Sequence, residues 1–216
     1  MKIRSAAALP ALLLAGAALA APGARPAPQD ELCHGTTPAA SAASVPPAPA
    51  SQAPVRSLQS VTLPAVRLRT QAGGAPVALA DSIGEDRPVL LNFVFTSCTT
   101  ICPPMTQIFA AAQERLGERR AQVRMISISI DPGQDTPARL REYAARFDAG
   151  PQWLFHTGSA DAIDAVQRAF NVHRPDKMGH TPVTFVRARG SRQWVRLDGF
   201  ASPEQLVREA LAGGTP

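Results

Sequence analysis

Residues 89–95, Val-Leu-Leu-Asn-Phe-Val-Phe, make a nearly unbroken apolar run of strand length. Such a run is expected of a central strand buried on both faces. It ends in Thr96-Ser97-Cys98-Thr99-Thr100-Ile101-Cys102-Pro103-Pro104, after which Met105, Ile108, Phe109, Ala112 and Leu116 recur at helical spacing. A buried strand that passes through a short cysteine-bearing loop into an amphipathic helix commits the chain to an α/β architecture, with both thiols at the edge where such folds place ligands.

The remaining pattern agrees. Residues 123–130 read as a second strand, with Ile126, Ile128 and Ile130 alternating against Ser127 and Ser129. Thr136-Pro137 is an N-cap followed by proline at the first helical position, opening a helix with Leu140, Tyr143, Ala144 and Phe147 on its buried stripe. Residues 153–155 form a short strand, and Ser159 caps a third helix whose Ile163, Val166 and Phe170 face inward. Residues 182–186 and 193–197 flank Arg189-Gly190-Ser191, a turn suited to an antiparallel hairpin. Ser202-Pro203-Glu204-Gln205 is a capping box that starts the last helix. Upstream, residues 61–70 and 75–79 alternate around Gly73-Gly74, which suggests a hairpin and starts the folded part near Val61. The order β-α-β-α-β-α-β-β-α implies a thioredoxin-like α/β sandwich, a central mixed sheet flanked by helices.

The N-terminus bounds the compartment. Lys2 and Arg4 precede an apolar run over residues 6–21 with Ala18-Leu19-Ala20 as a small-x-small cleavage site, so residues 1–20 read as a signal peptide or an N-terminal membrane anchor. Both readings put the remainder outside the cytoplasm, in a bacterial periplasm, exported or tethered to the inner membrane. Residues 21–56 are rich in Ala, Pro, Ser and Thr, with Pro46-Pro47, Pro49 and Pro54 too closely spaced for helix or sheet. They read as a flexible linker ahead of a single domain over 57–216, the arrangement that 216 residues allow. The net charge of +5 comes from scattered basic residues without a dense run, which argues against nucleic acid as a partner.

Three cysteines are too few for a disulfide scaffold, and their spacing carries the chemistry. Cys98 lies in the loop and Cys102 at the helix start, where unpaired amides and the positive end of the helix dipole favour thiolate. Their separation of four residues, rather than the three of a dithiol redox motif, opens the loop so that both sulfurs can turn toward one external atom. The pair can still close as a disulfide. Soft thiolates select Cu(I), Zn or iron–sulfur, and two sulfurs need a further ligand to hold a metal. The candidates are His156, His173, His180 and the Met178 thioether. His180 is the best placed, since Gly179-His180-Thr181-Pro182 precedes a strand whose leading loop faces the cysteine loop in a thioredoxin-like fold, often with a cis-proline. His156 and His173 read as surface residues, and the Cys33-His34 pair inside the linker reads as incidental. Asp131 and Asp135 read as a turn and a helix entry, the alternative for Asp131 being a carboxylate that supports the site.

Phe95-Thr96-Ser97-Cys98-Thr99-Thr100-Ile101-Cys102-Pro103, followed by Ser129-Ile130-Asp131-Pro132-Gly133-Gln134-Asp135-Thr136-Pro137 and a histidine before a strand, resembles the Sco (SenC/PrrC) family. The resemblance spans residues 61–211. It implies a thioredoxin-like, membrane-facing protein that delivers copper to cytochrome c oxidase, with copper bound by Cys98, Cys102 and His180. The family often has Asp directly before its histidine, where this chain has Gly179. Two functions follow. One is a copper metallochaperone for the copper-containing oxidase subunit or another copper-dependent protein. The other is an extracytoplasmic thiol-disulfide oxidoreductase with Cys98 attacking and Cys102 resolving, which reduces the cysteines of an apo-copper protein. Copper needs His180 and dithiol exchange does not.

Overall fold

A computed structural model describes residues 53–212. The expected export segment 1–20, the linker up to residue 52 and the Cys33-His34 pair lie outside the described residues. In chain order the elements are β1 (Val55–Ser60), β2 (Arg67–Thr70), β3 (Val77–Ala78), α1 (Leu79–Ile83), β4 (Val89–Val94), α2 (Cys102–Leu116), β5 (Arg124–Ser129), α3 (Pro137–Ala145), β6 (Trp153–Thr157), α4 (Ala160–Ala169), β7 (Val183–Arg187), β8 (Gln193–Asp198) and α5 (Pro203–Leu211). A 3-10 turn over Lys177–Gly179 precedes β7.

The strands form one mixed sheet in the order β1-β8-β7-β4-β5-β6-β2-β3. β4 is central, parallel to β5 and antiparallel to β7. All six of its residues are buried, and their alternation divides them between two cores. Leu90 joins the core made with α2, α3 and α5, around Phe109, Tyr143, Trp153 and Leu206. Val89, Leu91 and Phe93 join the opposite core, with Leu79 and Ile83 of α1 and Ile163, Val166 and Phe170 of α4. This two-faced burial is what the unbroken apolar run encodes.

The helix starts follow from local chemistry. Thr136, Ser159 and Ser202 each sit at an N-cap in extended backbone, and their hydroxyls accept from the amides of Arg139, Ala162 and Gln205. The expected hairpin before the central strand is present but short, with Arg67 opposite Ala78 and Leu68 opposite Val77; residues 61–66 carry no strand.

Three expectations are corrected. The ordered chain begins before Val61, and β1 includes Val55 and Arg56 from the segment read as linker, paired antiparallel with β8 from Val55 opposite Asp198 to Ser60 opposite Gln193. Its side chains are largely exposed, so no buried-face pattern marks it. α1 was not expected; its Leu79 and Ile83 close the second core. His156 is an interior residue of β6, 0 % exposed. Its Nε2 lies 3.0 Å from the Ser82 hydroxyl, and burial, reinforced by the charge of Arg124, lowers its pKa to about 4. It is a neutral core histidine remote from ligand chemistry.

Candidate metal centre

β4 ends at Val94, and the chain turns through residues 95–101 before α2 begins at Cys102. The turn is pinned where Cys98 N donates to the Phe95 carbonyl at 3.1 Å. A helix leaves its leading amides without partners. Here Pro103 and Pro104 have no N–H, and the N-cap Ile101 offers no side-chain acceptor. The Cys98 sulfur fills that role, accepting from Cys102 N at 3.3 Å. The two cysteines are therefore joined through the helix start, with Cys98 6 % and Cys102 0 % exposed. Both are free thiols.

Their electrostatics diverge. Burial pushes the Cys98 thiol up, but hydrogen bonds from Cys102 and Thr100 outweigh it and hold Cys98 below the ordinary thiol range. Cys102 is raised, chiefly by burial and then by its bond to Cys98. The pair is thus one sulfur predisposed to thiolate beside one that keeps its proton.

A buried polar frame holds this loop, and Asp135, which the sequence presents as a helix entry, is its centre. Asp135, 0 % exposed, accepts the Thr96 hydroxyl at 2.6 Å, the Thr96 amide at 3.2 Å and the Ser129 hydroxyl at 2.6 Å. It ties the cysteine loop to the end of β5. Behind Cys102, the Thr106 hydroxyl donates to the Cys102 carbonyl at 2.7 Å and meets the Tyr143 hydroxyl at 2.8 Å. Asp131 is also more than a turn residue, because Lys177 Nζ lies 2.6 Å from its carboxylate and 5.5 Å from the centre of the Phe95 ring. The signal available in the sequence was an aspartate following Ser129 beyond the end of an apolar strand. That pattern equally describes a turn.

His180 follows the 3-10 turn that Lys177 begins, and it enters β7, the antiparallel neighbour of β4. Its ring is 7 % exposed, with Nε2 3.1 Å from the Phe93 carbonyl. A carbonyl only accepts, so Nε2 carries the proton and Nδ1 keeps its lone pair. Burial lowers the His180 pKa, partly offset by that bond, and the neutral ring is the form that ligates. An imidazole that donates one N–H to a backbone carbonyl has the orientation metal-binding histidines commonly receive. The structure therefore brings Cys98 and Cys102 together and sets His180 in the segment that leads into the adjacent strand, β7, at the same end of the sheet. Among the described residues, no three His, Cys, Asp or Glu side chains are already gathered as a metal cluster.

The other candidates sit apart. His173 lines a cleft of about 560 Å³ with His180 and Ile130, and its Nε2 lies 3.7 Å from Asp164. Met178 is 66 % exposed. No peptide bond among the described residues is cis, so Pro182 follows a trans bond. Among the described residues no helix is long and apolar enough to cross a membrane.

Known proteins resemble the chain in sequence and in fold. The SCO1 protein homolog of Bacillus subtilis (strain 168) is 43 % identical over 70 residues, 32 % of this chain and 36 % of that protein. The chain spans between about a quarter and about half of the length of the curated relatives it matches. Bradyrhizobium japonicum ScoI with copper bound superposes with a TM-score of 0.57 at 26 % identity, covering 68 % of this chain and 96 % of that one. BsSco, a member of the Sco family of cytochrome c oxidase assembly proteins in which a disulfide switch was identified, superposes with a TM-score of 0.61 at 24 % identity, covering 74 % of this chain and 96 % of that one; at that identity it bears on the fold alone. The SCO1/SenC family model matches residues 69–211, and the chain belongs to that family.

Proposed function

We propose that this protein is a copper metallochaperone that takes part in cytochrome c oxidase assembly. Copper is its cargo, bound by Cys98, Cys102 and His180 and passed to the copper-containing subunit of the oxidase or another copper-dependent protein. The observation that carries this reading is the donor set at one sheet edge. It comprises a sulfur predisposed to thiolate, a second sulfur four residues on at the start of α2, and an imidazole whose Nε2–H is already committed to the Phe93 carbonyl. Two thiolates suit Cu(I), and the borderline imidazole adds a ligand that Cu(II) tolerates well. Cys98 would take the metal first, Cys102 would release its proton to solvent as its sulfur joins, and His180 would offer the Nδ1 lone pair that its bond to Phe93 leaves free. Release is by exchange, the client's ligands replacing these three in turn. The copper bound in the ScoI relative supports the cargo, and export of residues 1–20 or their retention as a tether would keep the site outside the cytoplasm.

The asymmetry of the thiols favours a second reading as a thiol-disulfide oxidoreductase. The Cys98 thiolate attacks a client disulfide, forming a mixed disulfide and freeing one client thiolate. Cys102, losing its proton, then attacks the Cys98 sulfur, forming the Cys98–Cys102 disulfide and freeing the second. Two electrons pass to the client. Anaerobic reconstitution with Cu(I) and Cu(II), followed by metal analysis and absorption spectroscopy, separates the two. A single copper per chain, with thiolate-to-Cu(II) charge-transfer bands that vanish in Cys98→Ser, is expected of the carrier. A chain that takes up neither ion but reduces a client disulfide is the oxidoreductase.

A further inference from the structure

A second cleft, about 430 Å³ in volume, opens between β2, the start of α3 and the start of α4. Arg67 and Arg69 lie on one face of β2 while Leu68, between them, is buried in the core. Arg69 stands opposite Thr157 in the β2–β6 ladder, so guanidinium and hydroxyl share a wall. No carboxylate pairs with either arginine among the described residues. Arg67 spends one N–H on the Pro76 carbonyl. Thr157 is 4 % exposed, and its enclosed Oγ1 has no hydrogen-bond partner, an uncommon state for a buried hydroxyl.

The helix ends add donors. Thr136 and Ser159 each accept an amide at 3.3 Å, from Arg139 and Ala162. As acceptors inside their own helices, they leave both O–H protons free to donate outward. The helices are of nine and ten residues, so the wall also carries the positive ends of two dipoles. The carboxylate in the wall, Asp135, is fully buried and its oxygens already accept from Thr96 and Ser129. Two guanidiniums, three hydroxyls and two helix starts thus line the space, and its carboxylate, Asp135, is turned to Thr96 and Ser129.

We propose that this cleft binds a small oxyanion, a phosphate in solution or the phosphodiester of a lipid headgroup, held by Arg67, Arg69 and Thr157. The site is separate from the copper ligands and stands whether or not the copper reading holds. The test is titration of the full, metal-free chain with inorganic phosphate at low ionic strength, following the backbone amide resonances of Gly158, Ser159 and Ala160. These shift saturably. In Arg67→Gln/Arg69→Gln, affinity falls about a hundredfold, each charge-assisted bond accounting for about tenfold. Thr157→Val weakens it several-fold and Thr157→Ser restores it. Vesicles of phosphatidylcholine with added phosphatidylglycerol distinguish the sources: binding that requires both arginines assigns a headgroup, and phosphate binding without it assigns a free oxyanion. Shifts that never saturate, or a phosphate affinity unchanged in the folded double variant, overturn the proposal. Cys98→Ser is expected to bind phosphate normally.

Discussion

Asp135 and Thr96 meet through a 2.6 Å hydrogen bond in which the carboxylate accepts the hydroxyl, with the Thr96 amide 3.2 Å from the second oxygen. The contact fastens the cysteine loop to the structure that follows β5, thirty-nine residues later. Asp135→Asn keeps the shape but turns an amide donor toward groups that donate. With hydrogen bonds to a charged group at stake, the expected loss is about 3 kcal/mol of stability, measured by denaturant unfolding. Copper affinity falls with it, because the loop carrying Cys98 loses its anchor.

The thiols are expected to react unequally. Because Cys98 is held below the ordinary thiol range, it keeps thiolate as pH falls through the region where an unperturbed cysteine protonates; Cys102, raised, stays protonated. Iodoacetamide labelling of the metal-free chain near pH 7, read by peptide mass mapping, therefore modifies Cys98 well before Cys102. In Cys102→Ala the rate at Cys98 drops at the same pH, since the side-chain donor that helped stabilise its charge is gone. Equal rates at both positions would contradict the asymmetry.

His156 sets an acid limit. Its pKa is about 4 in the folded chain against an ordinary value of 6.5, so between those values the unfolded chain binds the extra proton. Stability is fully present above pH 6.5 and is lost as pH falls toward 4, by at most about 3 kcal/mol. Urea unfolding of wild type and His156→Gln at pH 7 and pH 4.5 checks this. The variant is expected to start less stable, having lost a packed ring, and to show a shallower acid decline.

β1 is held by its ladder to β8 and by Arg56, whose Nε lies 2.8 Å from Glu209. Its side chains bury little, with Val55 69 % and Leu58 58 % exposed. Removing residues 21–60 instead of 21–52 strips this strand and bares the edge of β8. A thermal midpoint lower by about 4–8 °C is expected, the effect of about 2 kcal/mol on a domain of this size. Identical midpoints would show that β1 contributes nothing to the domain.

The parts of the fold readable in the sequence are those specified locally. The two-faced run of β4, the helical stripe of α2 and the Thr136, Ser159 and Ser202 caps all announce themselves within a few residues. β1 did not, because an edge strand with exposed side chains draws its definition from a partner far along the chain, as where Ser57 stands opposite Arg196 in the ladder, rather than from its own pattern. The same holds for polar pins. Ser127 reads as the polar side of a strand, yet it is buried, donating to Asn92 Oδ1 at 2.7 Å and accepting from Trp153 Nε1 at 3.0 Å. Of the candidate site, the cysteine pair and His180 were legible from motif and position. The Asp135 clamp, the Lys177–Asp131 pair and the Phe93 carbonyl that orients His180 were not, since each depends on chain segments meeting in space.

In the proposed copper site, His180 completes a set begun by Cys98 and Cys102. His180→Ala removes the imidazole while leaving the dithiol and the helix start in place, and the deciding measurement is the affinity of wild type and variant for Cu(I) and Cu(II). Cu(II) affinity is expected to fall about 10–100-fold or more while Cu(I) binding changes far less, because two thiolates still hold it, and oxidase assembly is expected to fail in cells carrying the variant. Wild-type affinities for both ions together with normal assembly would contradict the three-ligand site.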